Sequence, residues 1–63
     1  MAVLIRFDTD NDAFTEGDGP AEAERIITEA AGRIRDGHSF GYLYDSNGNR
    51  VGTYTAEFER TEP

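Results

Sequence analysis

Apolar and polar residues alternate over AVLIRF, residues 2–7, with Val3, Ile5 and Phe7 on one side and Leu4 and Arg6 on the other. A period of two, rich in β-branched and aromatic residues, predicts a β-strand over about 2–7. Periodicity then lapses, and residues 8–19 read as an acidic loop containing glycine. From Pro20 to about Asp36, Ala23, Ile26, Ile27, Ala30, Ala31 and Ile34 recur at helical spacing and form one apolar stripe. A helix over about 20–36 follows, with Pro20 at its first residue and Asp18 and Gly19 as caps. Its charges suit its dipole: Glu22 and Glu24 lie in the first turns, Arg33 and Arg35 in the last. Glu29 and Arg33 form a pair four residues apart. Gly37 is placed to end the helix in a left-handed conformation. Gly32 weakens it and suggests a close approach to the sheet.

The segment SFGYLYDSNGNRVGTYTAEFE, residues 39–59, predicts a β-hairpin. Asp45-Ser46-Asn47-Gly48 has the composition of a type I turn with a left-handed glycine at its fourth position. That turn sets Leu43 opposite Val51 and Phe40 opposite Tyr54. A tighter Asn47-Gly48 turn would pair Tyr44 with Val51 instead. The first register is preferred because it pairs like with like. Residues 60–63 are expected to fray. The order strand, helix, strand, strand predicts a single α+β domain, residues 1–63, of βαββ topology. One helix packs on one face of a three-stranded sheet, and the other face has no cover.

Sixty-three residues bury only about 60% of the surface of the unfolded chain, so the core is small. There are no cysteines, which removes disulfides, zinc–thiolate sites and cysteine nucleophiles. No apolar run approaches the roughly 18 residues of a membrane span. The first residues also lack the basic start and long apolar stretch of a secretion signal. A soluble, cytoplasmic protein is the expectation.

The formal charge is −7, from thirteen acids and six arginines. Seven acids, Asp8, Asp10, Asp12, Glu16, Asp18, Glu22 and Glu24, fall within residues 8–24 with no base among them. Such a balance repels phosphate backbones, so direct nucleic-acid binding is not expected. A basic protein is the electrostatic complement, although solubility alone is the commoner reason for a modest acidic excess.

Asp8, Asp10 and Asp12 match the first three ligand positions of a calcium loop. However, Ala13 stands where the turn glycine belongs and Gly19 where the closing carboxylate belongs, and a strand precedes the loop. The three aspartates are therefore a weak metal candidate, and no cofactor is expected. The sole histidine, His38, lies beside Ser39 at the helix-to-strand junction. Neighbours in sequence do not make a catalytic dyad, so an enzyme is not expected.

Phe40, Tyr42, Tyr44, Tyr54 and Phe58 all come from the hairpin. If they meet the helix they are core, the commoner arrangement. If Leu43, Val51 and Gly41 meet the helix instead, the aromatics lie outward and mark a dimer or partner surface.

FDTDNDAF, the helix from PAEAERI to IRDG and the turn D-x-N-G-N-x-V-G at residues 45–52 together resemble a group of small acidic proteins encoded by bacteriophages. The resemblance spans about residues 3–58. It implies a phage or prophage origin, and by analogy a role like that of anti-CRISPR proteins, which block host defence complexes. The function so implied is non-enzymatic binding to a basic host protein or complex that handles nucleic acid. Asp8, Asp10, Asp12, Glu16 and Asp18 would supply the field, and Tyr42 and Tyr54 the anchors. The runner-up is a self-associating module with a homodimeric sheet face, and the third reading is a weak calcium-binding domain.

Overall fold

The computed structural model describes residues 1–59, so the expected fraying of 60–63 lies outside the described residues. The elements are β1 (Val3–Phe7), α1 (Asp12–Thr15), α2 (Gly19–Arg35), β2 (Phe40–Tyr44) and β3 (Arg50–Ala56). The strands form one antiparallel sheet of order β1-β3-β2, with β3 in the centre. This is the α+β, βαββ arrangement that the sequence pattern predicts, with one short helix added.

α2 begins where its caps direct. The Asp18 side chain accepts a hydrogen bond from the Ala21 N–H at 3.1 Å, and Pro20 occupies the first turn, where its missing N–H costs nothing. At the other end Gly37 takes φ +98°. The Gly37 N–H donates to the Ile34 carbonyl and the His38 N–H to the Arg33 carbonyl, both at 3.0 Å, closing a Schellman motif. The buried stripe is narrower than the pattern suggests. Ile26 and Ala30 are buried and Ala23 and Ile34 half-buried, while Ile27 and Ala31 are exposed. Gly32 is also exposed, and a Cβ placed there would touch nothing within 4 Å. Its expected approach to the sheet does not occur.

The predicted loop over 8–19 contains α1, whose Phe14 enters the core and stacks on Phe7 at 6.0 Å between ring centroids. Phe14, Ile26, Ala30, Leu43, Val51 and Tyr54 form that core, with Ile5, Phe7, Ala13 and Ile34 packed around it. A four-residue helix is too short to show a period, and its one buried side chain looks like any loop aromatic in the sequence.

The hairpin turn forms as its composition predicts. Gly48 has φ +85°, and its N–H donates to the Asp45 carbonyl at 3.0 Å. Tyr44 pairs with Arg50, as the preferred register requires, but Leu43 then pairs with Gly52 and Phe40 with Thr55. Val51 is the extra residue of a β-bulge. The expected pairs Leu43–Val51 and Phe40–Tyr54 are therefore each displaced by one position. The bulge turns both Val51 and Gly52 toward the helix, while Arg50, paired with Tyr44, faces the opposite side. Tyr54 consequently lies inward, opposite Gly41 on one side and Ile5 on the other.

Two strand glycines make this packing feasible. A Cβ at Gly41 would collide with the Tyr54 ring, so the phenol lies across the β2 backbone. A Cβ at Gly52 would overlap the Arg6 carbonyl oxygen and lie 2.6 Å from the Phe7 Cα, where β1 and β3 approach most closely.

Candidate functional site

Alternation along the strands assigns the side of the sheet away from α2. Leu4, Thr55 and Phe40 form one row across the three strands, and Arg6, Thr53 and Tyr42 the next. Leu4 is 65% exposed, Phe40 52% and Tyr42 42%, and among the described residues no element covers them. Phe40 meets Tyr42 edge-on at 5.2 Å. The Arg50 guanidinium lies 4.6 Å above the centre of the Tyr42 ring, a cation–π contact worth about 0.5–1 kcal/mol at an exposed site. Between the two arginines runs an open groove of about 350 Å³, lined by Arg6, Asp8, Tyr42, Arg50, Val51, Gly52 and Thr53.

The structure separates the residues that the sequence groups together. Asp8 is at the rim of this groove, where its carboxylate lies 3.6 Å from Arg6 Nη2 and its N–H donates to the Val51 carbonyl. Asp12 opens α1, and Glu16 closes it through an N–H to the Asp12 carbonyl. Asp18 is committed to capping α2. Because α1 delivers Phe14 to the core, Asp12 and Glu16 lie on the helix-bearing side of the sheet. The acidic segment does not flank the aromatic face as a block. Among the described residues no three carboxylate or imidazole groups gather where a metal ion could be held, Asp8, Asp10 and Asp12 included.

Tyr42 is on the open face, the second of the two arrangements that the sequence leaves open for the hairpin aromatics. Tyr54 is not a surface anchor. It is only 1% exposed, because the bulge at Val51 rotates it into the core. His38 is exposed at the end of α2, where its backbone, not its imidazole, does the structural work.

Two features escaped the sequence pattern. The first is the pair Arg6 and Arg50 on the aromatic face. Each is legible singly, Arg6 from the alternation in β1 and Arg50 from its pairing with Tyr44, but their meeting on one face depends on the strand order β1-β3-β2. The second is Asp45, a carboxylate that is 5% exposed inside its own turn. Its Oδ1 accepts from the Asn47 and Asn49 N–H groups at 2.9 and 2.8 Å. Its Oδ2 accepts from Asn11 Nδ2 at 2.6 Å and Asn49 Nδ2 at 3.4 Å. Burial alone would push the Asp45 carboxyl up. The bonds from Asn49, then Asn47 and Asn11, outweigh it and hold the group below its ordinary value. Asn11 thus directs its amide to the hairpin rather than to capping α1, and its Oδ1 is buried with no partner among the described residues.

A parallel clamp joins α2 to the same turn. Glu22 accepts from the Ser46 N–H at 2.7 Å and from Arg25 at 3.0 Å, and Arg25 also donates to the Tyr44 carbonyl at 3.1 Å. The Arg25 guanidinium is the main reason the Glu22 carboxyl titrates below its ordinary value.

Among the described residues no helix is long and apolar enough to cross a membrane. Comparison of the chain with family models, curated proteins and solved structures finds no match.

Proposed function

We propose that the chain is a non-enzymatic protein-binding module whose contact surface is the open face of its sheet. The observation that carries this reading is the exposure of Leu4, Phe40 and Tyr42 together on one uncovered face. Monomers rarely leave a large contiguous apolar patch in water, and interface centres are enriched in aromatic residues and arginine. Phe40, Tyr42 and Arg50 have the composition of such a centre.

The resemblance to small phage-encoded acidic proteins makes a host complex that handles nucleic acid, such as a defence complex, the partner class to try first. The self-associating module is the weaker reading. Face-to-face pairing of two copies would bring two Arg6 and two Arg50 into one interface against two Asp8, and like charges there cost affinity.

Affinity capture from a host lysate tests the proposal with three chains: the natural one, a Phe40→Ser/Tyr42→Ser variant and an Asp10→Asn/Asp12→Asn/Glu16→Gln variant. A partner lost only with the first variant supports the open face. A partner lost only with the second moves the contact surface to the acidic segment. Recovery of the chain alone, with a dimeric mass in solution, favours self-association.

A further inference from the structure

We infer that the groove between Arg6 and Arg50 is a carboxylate site, which takes an aspartate or glutamate side chain from a partner segment laid across the open sheet face. The inference rests on the binding reading above and adds the chemistry of the partner.

Among the described residues, two of the arginines of α2 are held in ion pairs. Arg25 pairs with Glu22 at 3.0 Å and Glu29 at 3.3 Å, and Arg33 pairs with Glu29 at 3.0 Å. Arg35 sits in the last turn of α2, where a cation offsets the helix dipole. The two arginines of the open face differ. Arg50 has no carboxylate within 4 Å among the described residues, and Arg6 has only Asp8 at 3.6 Å, with both side chains more than half exposed. An exposed pair at that separation contributes little, so a better-placed carboxylate can displace it.

Arg50 is already held over the Tyr42 ring, so little side-chain freedom remains to be lost when its guanidinium meets an acceptor. Thr53 lies in the same row as Arg6 and Tyr42 and adds a neutral hydroxyl. Leu4 and Phe40, one row away, offer apolar contact to the residues flanking the bound acid. The groove is open along the sheet, which suits an extended segment better than a small molecule needing enclosure.

Charge complementarity selects the occupant. The groove carries two guanidiniums against one carboxylate, on a chain whose net charge is −7. One acidic side chain gains the local attraction, while Asp12 and Glu16 on the far side are weakened by screening over a Debye length of about 8 Å. A polynucleotide presents many phosphates to the whole acidic chain, and Arg50 covers the tyrosine face that a base would stack on.

Random-peptide display against the natural chain is the test. The expected result is enrichment of peptides with Asp or Glu beside an apolar residue. Binding of the synthesised peptide then falls about tenfold on Arg50→Gln, and also on Arg6→Gln, the loss expected for one charge-assisted hydrogen bond. Both variants lie on the surface, and an unchanged thermal melt confirms their fold. Peptides without acids that ignore both variants, yet are lost with Phe40→Ser/Tyr42→Ser, overturn the carboxylate site and leave the binding face standing. Absence of any peptide that depends on Phe40 and Tyr42 overturns both. Retention of a labelled single-stranded oligonucleotide, lost on Arg50→Gln, also overturns the inference and assigns the groove to nucleic acid.

Discussion

Gly32 and Gly52 have the same side chain and opposite prospects for substitution. Gly32 lies inside α2 with open space around it, so alanine there removes a helix-weakening residue at no steric cost. Gly32→Ala should raise stability by about 1 kcal/mol. Gly52→Ala must push β1 away from β3 and should cost about 3 kcal/mol, the upper end of overpacking losses. A domain of this length has roughly 3–9 kcal/mol to lose, so the second variant should be close to unfolded at 37 °C. Thermal melts of the two variants against the natural chain check both directions, and equal shifts would refute the packing at Gly52. The sequence reveals that Gly32 is helical because the stripe around it is periodic. It does not reveal which backbone lies against Gly52, because that depends on β1, which is distant in the chain.

The hairpin shows the same limit at the level of elements. The D-x-N-G composition specifies the turn and the pair Tyr44–Arg50, since both depend on local backbone geometry. It does not specify the bulge one residue later, which is stabilised by Val51 entering the core and by the fit of Tyr54 over Gly41. α1 escaped notice for a related reason, as its only signal is the burial of Phe14.

Within the turn, Asp45 makes stability depend on pH. Its folded carboxyl titrates below the unfolded one, so its contribution is complete above about pH 4 and is lost as pH falls through the folded value. Glu22 acts in the same sense. Chemical denaturation between about pH 6 and pH 2 should show stability falling below about pH 4. Asp45→Asn should be less stable at neutral pH and should show a shallower acid loss. An acid profile identical to that of the natural chain would show that Asp45 is not among the groups responsible.

Across the whole molecule the sheet separates two electrostatic surfaces. The helix-bearing side carries most of the acidic segment, and the open side carries Arg6 and Arg50 among aromatics. Composition alone conceals this division, because a net charge of −7 averages over both sides. Part of the open face was legible in advance: Leu4, Arg6 and Tyr42 follow from alternation within single strands. Tyr54 was not, because the bulge at Val51 turns it from the side of Phe40 and Tyr42 into the core. The bond from Asn11 to Asp45 also has a consequence in time. It joins residues 34 apart in sequence, whereas the turn it reaches is closed by neighbours. Loop-closure entropy therefore favours the hairpin tip forming first, with the acidic segment docking onto it after the main barrier. Asn11→Ala should accelerate unfolding and leave the folding rate nearly unchanged, which stopped-flow measurements would read directly. Slowed folding instead would place the acidic segment and the hairpin tip together by the main barrier.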